Sequence, residues 1–343
     1  MNRMTQIEPC ISVIIALHNG TKKLENLSSW IQNQIGWSGA LIVIASGETE
    51  IGQLGVVCER AGITFHFEKF VTCGHAKRNR GANIARQLGS KYIVFLNDYQ
   101  FLPKGTLSEF EASEPNSDVL IGLLKENELQ FHRRLRGIKE NEVITKTSST
   151  KKLWKLFSSV GEATLVIKTE EFLSVGGWRY PHKKGGIYFA GDGLLLASRL
   201  LHRGATFAFS THFIVLGGHA NPEHSRSYIR NKEALYPYAF TLSTMDEASP
   251  WWLRYRFFFG RIARIVLSFA LAPSMFLDQD KVRSACRDIS ARSRPFLGFG
   301  PSSDADEIRD LTKTLCRDSE FLCEGEGGNQ CRSIPKNDCD VKA

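Results

Sequence analysis

Long apolar runs are missing from this chain. No stretch reaches the ~20 uninterrupted apolar residues that a membrane-spanning helix needs, so helices of that kind are not expected. No secretory leader is expected either. The first apolar run, Ile11 to Leu17, is short, follows Glu8, and lacks a basic flank and a small-residue cleavage site. Paired CxxC spacing is absent: Cys316, Cys323, Cys331 and Cys339 stand too far apart for a zinc site of that type. Cys10, Cys58 and Cys73 lie in or beside apolar segments and suit core positions in a reducing compartment. Internal repeats are absent too. In the first half, no stacking aromatics interleave with the basic clusters, which argues against nucleic acid as a partner.

What the chain does have is positive charge. A net charge of +8 favours anionic partners such as phosphates or an acidic membrane surface. The basic residues crowd into four places. These are Lys77-Arg78-Asn79-Arg80, His132-Arg133-Arg134-Leu135-Arg136, the pair Lys151-Lys152, and the stretch from Arg254 to Arg264.

Apolar runs alternate with helical patterns along the first hundred residues. Ile11 to Ala16, Leu41 to Ala45, Ile63 to Phe67 and Tyr92 to Leu96 predict buried strands. Leu24 to Ile35, Ile51 to Ala61 and Gly74 to Leu88 predict helices between them. This alternation implies an α/β fold with an open, mostly parallel sheet. Ligands of such sheets bind beyond the carboxyl ends of strands, near a switch in strand order. That rule selects His18-Asn19, Ser46-Gly47-Glu48 and Asn97-Asp98, three polar clusters that follow apolar strands. Further strands are expected at Asp118 to Leu124, at Thr164 to Lys168 and from Gly204 toward His219, and a helix at Asp192 to Leu201. The polar, basic segment from Lys125 to Lys152 reads as a mobile loop over a site.

Four stretches together carry a resemblance. They are Ile11 to Asn19; Ala76 to Ala85 with its Arg78-Asn79-Arg80-Gly81; Phe95 to Pro103; and Val175-Gly176-Gly177-Trp178 followed by Gly191-Asp192 and Arg199-Leu200. In this order and at these separations, residues 10 to 235 resemble a family 2 glycosyltransferase of the GT-A fold. The resemblance implies inverting transfer of a sugar from a nucleotide-diphosphate sugar to a glycan or lipid-linked acceptor in surface polysaccharide assembly. It further implies Mg²⁺ or Mn²⁺ on Asp98 and His219, neutralising the diphosphate as it leaves. Leu17, His18, Asn19, Ser46, Glu48, Lys77, Arg78, Asn79 and Asn97 would hold the donor, and Asp192 would act as general base.

Each residue has a plainer role open to it. Asp192 suits a helix N-cap, Asp98 and Asn19 suit turns, and His219 suits a structural imidazole. Lys77 and Arg78 suit a solvated helix face. Three positions depart from the family's pattern. Ala45 and Ser46 stand where an acid usually follows the second strand, Tyr99 takes the usual metal register, and Gly191 replaces a Glu. The alternative to an active transferase is therefore a relative that binds a nucleotide sugar or a partner without turnover.

The expected organisation is a glycosyltransferase domain over 1–240, an aromatic and basic helical extension over 241–300, and a charged tail over 301–343, partly disordered. The extension fits either a helix in an anionic membrane interface or a packed C-terminal helix. A cytoplasmic protein, peripheral on the inner membrane face, is the expected location.

Overall fold

In a computed structural model the described residues are 10–18, 27–28, 30–34, 36–46, 53–70, 74–97, 100–113, 115–125, 139–160, 165–179, 182–183, 186–187, 192–217 and 241–297. The chain divides into two compact units. One comprises Met1–Trp178 with Leu196–Pro222, the other Arg179–Leu195 with Glu223–Ala343.

The first unit is built on one sheet of eight strands. They are β1 (Ile11–His18), β2 (Ala40–Ser46), β3 (Thr64–Lys69), β4 (Tyr92–Asn97), β5 (Gln100–Phe101), β6 (Val119–Lys125), β7 (Leu165–Lys168) and β10 (Phe207–Gly217), in the order β3-β2-β1-β4-β7-β6-β10-β5. The β3-β2-β1-β4 half is wholly parallel, as is the β6–β10 pair. β7 enters antiparallel between β4 and β6, and β5 runs antiparallel to β10. The expected α/β class with an open, mostly parallel sheet is what is observed.

β1 explains why its sequence has no polar face. Ile11, Val13, Ile15 and Leu17 point into a core shared with Leu41, Val43 and Ala45 of β2 and Tyr92, Val94 and Leu96 of β4. Trp30 and Trp37 join that core. Ile14, on the opposite face, meets helix α2 (Gly74–Gln87), which packs on β1 and β2. Gly81 allows the approach: a Cβ there would lie 2.5 Å from Ile14 Cγ2. The strand is buried on both faces, so alternation is lost.

Helices α1 (Leu54–Arg60) and α2 are the crossovers to β3 and β4, and α3 (Thr106–Ala112) follows β5. The expected loop over 125–152 is only partly loop. Residues 126–138 lie outside the described residues. Beyond them Ile144 is fully buried and exchanges backbone hydrogen bonds with Phe207 at 2.7 and 2.9 Å. Helix α4 (Thr150–Ser159) then begins inside the expected loop. Leu153, Leu156 and Phe157 recur at helical spacing and are buried, which explains the difference.

β7 leads directly into α5 (Thr169–Ser174). Helix α6 (Asp192–Arg203) opens with the expected acid and buries Leu196, Ala197, Leu200 and Leu201. The second unit contains the short hairpin β8 (His182–Lys183) and β9 (Gly186–Ile187), then α7 (Trp251–Leu271) and α8 (Gln279–Ser293). No described helix is long and apolar enough to cross a membrane. The 301–343 tail lies outside the described residues.

Candidate functional site

The chain runs from β1 outward through β2 and β3, then returns to place β4 on the other side of β1. The carboxyl ends of β1 and β4 therefore flank a switch in strand order, where side chains are not covered by a crossover. Register fixes what stands there. His18 is opposite Ser46, Leu17 opposite Ala45, and Ala16 opposite Asn97.

Helix α2 brings two cations to this edge. Lys77 is 1% exposed, and its Nζ donates to the backbone carbonyl of Leu17 at 2.9 Å. Arg78 is 7% exposed; its Nη2 donates to Asn97 Oδ1 at 2.6 Å and its Nη1 to His75 Nδ1 at 3.2 Å. A solvated helix face is thereby ruled out for both. Burying an ammonium or guanidinium is costly without hydrogen bonds to it. Here the bonds come from the ends of β1 and β4.

Both cations, with His75, lie in or next to the first turn of a helix of 14 residues whose first turn holds no acid. The N-terminus of a helix carries positive partial charge, so a cation there is disfavoured by roughly 0.3–1 kcal/mol at an exposed site. The arrangement concentrates positive potential at one place: two side-chain cations, the helix dipole and the backbone N–H groups of the first turn. Such an array suits a phosphate or diphosphate.

The surroundings hold Arg78 in place. Asn97 is fixed from a second side, since its backbone N–H donates to Gln100 Oε1 at 2.8 Å. His75 lies against Trp178 with ring centroids 5.5 Å apart, and Trp178 packs edge-on to Phe95 at 5.7 Å. Beyond β5, the carbonyl of Leu102 accepts from Trp30 Nε1 at 3.0 Å and Gln34 Nε2 at 3.2 Å. The strand end at Asn97 is thus braced by α2, by Gln100 and by the segment that follows.

Asn79, expected to contact the nucleotide, bonds Trp178 with both ends of its amide, each of which can make one further hydrogen bond. Nδ2 donates to the Trp178 carbonyl at 2.9 Å, and Oδ1 accepts from the Trp178 N–H at 2.8 Å. The Gly176-Gly177 turn makes this possible. Both residues have positive φ, at 78° and 66°, and their N–H groups cap α5 on Leu173 and Phe172. A Cβ on Gly177 would collide with Asn79 Oδ1. The glycine turn clamps α2 in place.

Leu17 contributes only its carbonyl, because its side chain is wholly in the core. Ala45 is equally buried, so its side chain does not face the strand end. For His18 and Ser46 the backbone positions are described and the side chains are not. Asn19, Glu48, Asp98 and His219 lie outside the described residues, as does Tyr99. Asp192 stands in the first turn of α6, within the second unit's residues. Among the described residues, no group of three or more His, Cys, Asp or Glu comes together to hold a metal ion.

Among the described residues, Leu17, Lys77, Arg78 and Asn97 are expected site residues that meet. His75, Gln100 and Trp178 complete the assembly without having been expected. Gln100 carried a signal, standing three residues past Asn97 where a side-chain amide can close a turn.

No protein-family model matches the chain, and no curated protein matches it in sequence. Among solved structures it is similar to residues 1–349 of TarS from S. aureus in complex with UDP-GlcNAc. Identity is 12%, the TM-score 0.48, and coverage 84% of this chain and 92% of that one. It is also similar to the mannosyltransferase PcManGT from Pyrobaculum calidifontis in complex with GDP-Man and Mn²⁺, at 13% identity and TM-score 0.49, covering 84% and 87%. Against a longer TarS structure the chain spans 54% of that protein's length. At these scores and identities the likeness is one of general architecture, and no substrate or metal of those proteins passes to this chain by it.

Proposed function

We propose that the chain is an inverting glycosyltransferase that moves a sugar from a nucleotide-diphosphate sugar to a glycan or lipid-linked acceptor. One observation carries this: the buried cations Lys77 and Arg78 stand in and just after the first turn of α2, beside the carboxyl ends of β1 and β4. A diphosphate is the ligand whose charge offsets both cations and uses the helix terminus at once. The sugar part of the proposal rests on the four motif stretches, which resemble those of family 2 glycosyltransferases.

The chemistry follows from charge. As the bond between the anomeric carbon and the diphosphate oxygen breaks, negative charge grows on the leaving group. Arg78, held by Asn97 and His75, is already aimed and loses little freedom on contact, as electrostatic stabilisation requires. Lys77 adds a second positive charge from below the β1 end. Asp192 takes the proton from the acceptor hydroxyl while its oxygen attacks the face opposite the diphosphate, which inverts the anomeric centre. Asp98 would offer the carboxylate that Mg²⁺ or Mn²⁺ takes beside phosphate oxygens, and the His219 imidazole would suit Mn²⁺ rather than Mg²⁺. Bound there, the metal would supply further neutralisation of the diphosphate. The proposed donor-binding set is His18, Asn19, Ser46, Glu48, Lys77, Arg78, Asn79 and Asn97, with the Leu17 carbonyl in support.

The test is a panel of UDP-, GDP- and dTDP-sugars with Mn²⁺, scored for turnover and for thermal shift. Turnover of one donor, abolished in Asp192→Asn with its thermal shift retained, is the expected result. Thermal shift without turnover in the unaltered protein would favour the second reading, a binding relative. Ala45 favours that reading, since it stands buried where the family's pattern has an acid. No shift and no turnover with any donor would sink both.

A further inference from the structure

The second unit carries a surface that takes no part in the proposed chemistry. Trp251, Tyr255 and Phe259 stand at i, i+4 and i+8 on one face of α7, and all three are exposed, Trp251 to 71%. Trp251 and Tyr255 meet edge to face, and Tyr255 and Phe259 stack, each pair with centroids 6.0 Å apart. Val266, 60% exposed, continues the face. Elsewhere along its length α7 is used within the unit: Leu253 and Phe269 are buried, and Phe258 packs on Phe296 at 5.1 Å. An exposed apolar face of this extent marks an interaction site.

The charges on the helix narrow the partner. α7 contains Arg254, Arg256, Arg261 and Arg264 and no Asp or Glu. Arg254 is tied to the Thr244 carbonyl, and Arg261 to Asp288, which also receives Arg292. Arg256 and Arg264 are exposed. Four arginines rule out burial across a bilayer, although α7 would be about 30 Å long. A second copy seated on the same face would set one wholly basic helix against another, an unfavourable pairing. A surface of lipid phosphates supplies the opposite sign. It also accepts rings at the depth of the headgroups.

We propose that α7 lies in the plane of an anionic lipid surface, with Trp251, Tyr255, Phe259 and Val266 in the acyl boundary and Arg254, Arg256 and Arg261, which flank that face, at the phosphates. Leu277, in the link to α8, is exposed as well, to 86%. The inference stands on the surface of α7 and goes beyond sugar transfer, though a lipid-linked acceptor would give the attachment a use.

The experiment is co-sedimentation of the full chain with phosphatidylcholine vesicles, with and without phosphatidylglycerol, at low and high salt. The chain should pellet with the anionic vesicles alone, and less so as salt shortens the reach of the charges. Replacing Trp251, Tyr255 and Phe259 together by Ser should weaken partitioning about a hundredfold. Because all three are exposed, the far-UV circular dichroism should not change. Failure to pellet, or equal partitioning of the unaltered and substituted chains, would overturn the inference. So would light scattering that finds a dimer lost in the triple variant, since the occupant would then be a second copy. Thermal shift by UDP and GDP in the same preparations keeps the two ideas apart. Nucleotide binding without vesicle binding overturns only the membrane contact, and the converse supports it while counting against transfer.

Discussion

The bond between Arg78 and Asn97 is the part of the site most open to a quantitative test. Arg78→Met keeps the apolar stem and removes the guanidinium, and Asn97→Ala removes the accepting amide. A charge-assisted hydrogen bond contributes roughly 1.5–3 kcal/mol net. At 2.6 Å, with the arginine buried and the asparagine half-buried, the lower part of that range applies, about 1.5–2 kcal/mol. Asn97→Ala should be the costlier single change, because it takes a hydrogen-bond partner from a buried cation, whereas a half-buried amide can turn to water. Neither change touches the Asn97 N–H to Gln100 bond, so the strand end itself persists. Urea unfolding of both single variants and the double variant gives the coupling directly. A coupling near zero would mean that the pair is not joined in solution, and the aimed arginine would be lost from the account.

Other consequences are more local. Gly81→Ala should destabilise by about 1–3 kcal/mol in urea despite the helix preference of Ala, because its Cβ would strike Ile14; a gain in stability would show that α2 sits farther from β1. The Asp118 carboxyl is pushed up by burial, but hydrogen bonds from Thr206 and Lys168 and the charge of Lys168 outweigh this and hold it below its usual range. A depressed carboxyl stabilises above its unfolded pKa, about 3.9, and the benefit fades as pH falls through the folded value. The stability gap between the unaltered chain and Asp118→Asn should hold from neutral pH to mildly acidic pH and close only in stronger acid; a gap that widens in acid would contradict the assignment. Burial pushes the Cys58 thiol up to about 11, so iodoacetamide at mildly alkaline pH should label exposed Cys286 and spare Cys58 in peptide mass maps. Equal labelling would refute that burial.

The first half of the fold was legible because parallel strands buried on both faces leave apolar runs that only Gly and polar turns interrupt. β1, β2 and β4 stand where Ile11, Leu41 and Tyr92 predicted, and β3 differs by one or two residues at its ends. The loop expected over 125–152 failed in part because Val143-Ile144 is a short apolar pair in a polar setting. Its partner Phe207 is distant in sequence, so no local pattern reveals the bridge. Lys77, Arg78 and Asn97 were legible from position at strand and helix ends. That Arg78 binds Asn97 was not, since a bond across 19 residues depends on how α2 is rotated against the sheet. The bond from Asn79 to Trp178 was hidden for the same reason, since it too depends on how α2 is rotated.

The most direct test is a crystal structure of the chain with a nucleoside diphosphate bound. The account predicts phosphate oxygens at hydrogen-bonding distance, about 2.7–3.2 Å, from the Arg78 guanidinium at the carboxyl ends of β1 and β4. A nucleotide seated elsewhere on the chain, with Arg78 still closed on Asn97 and His75, would contradict it.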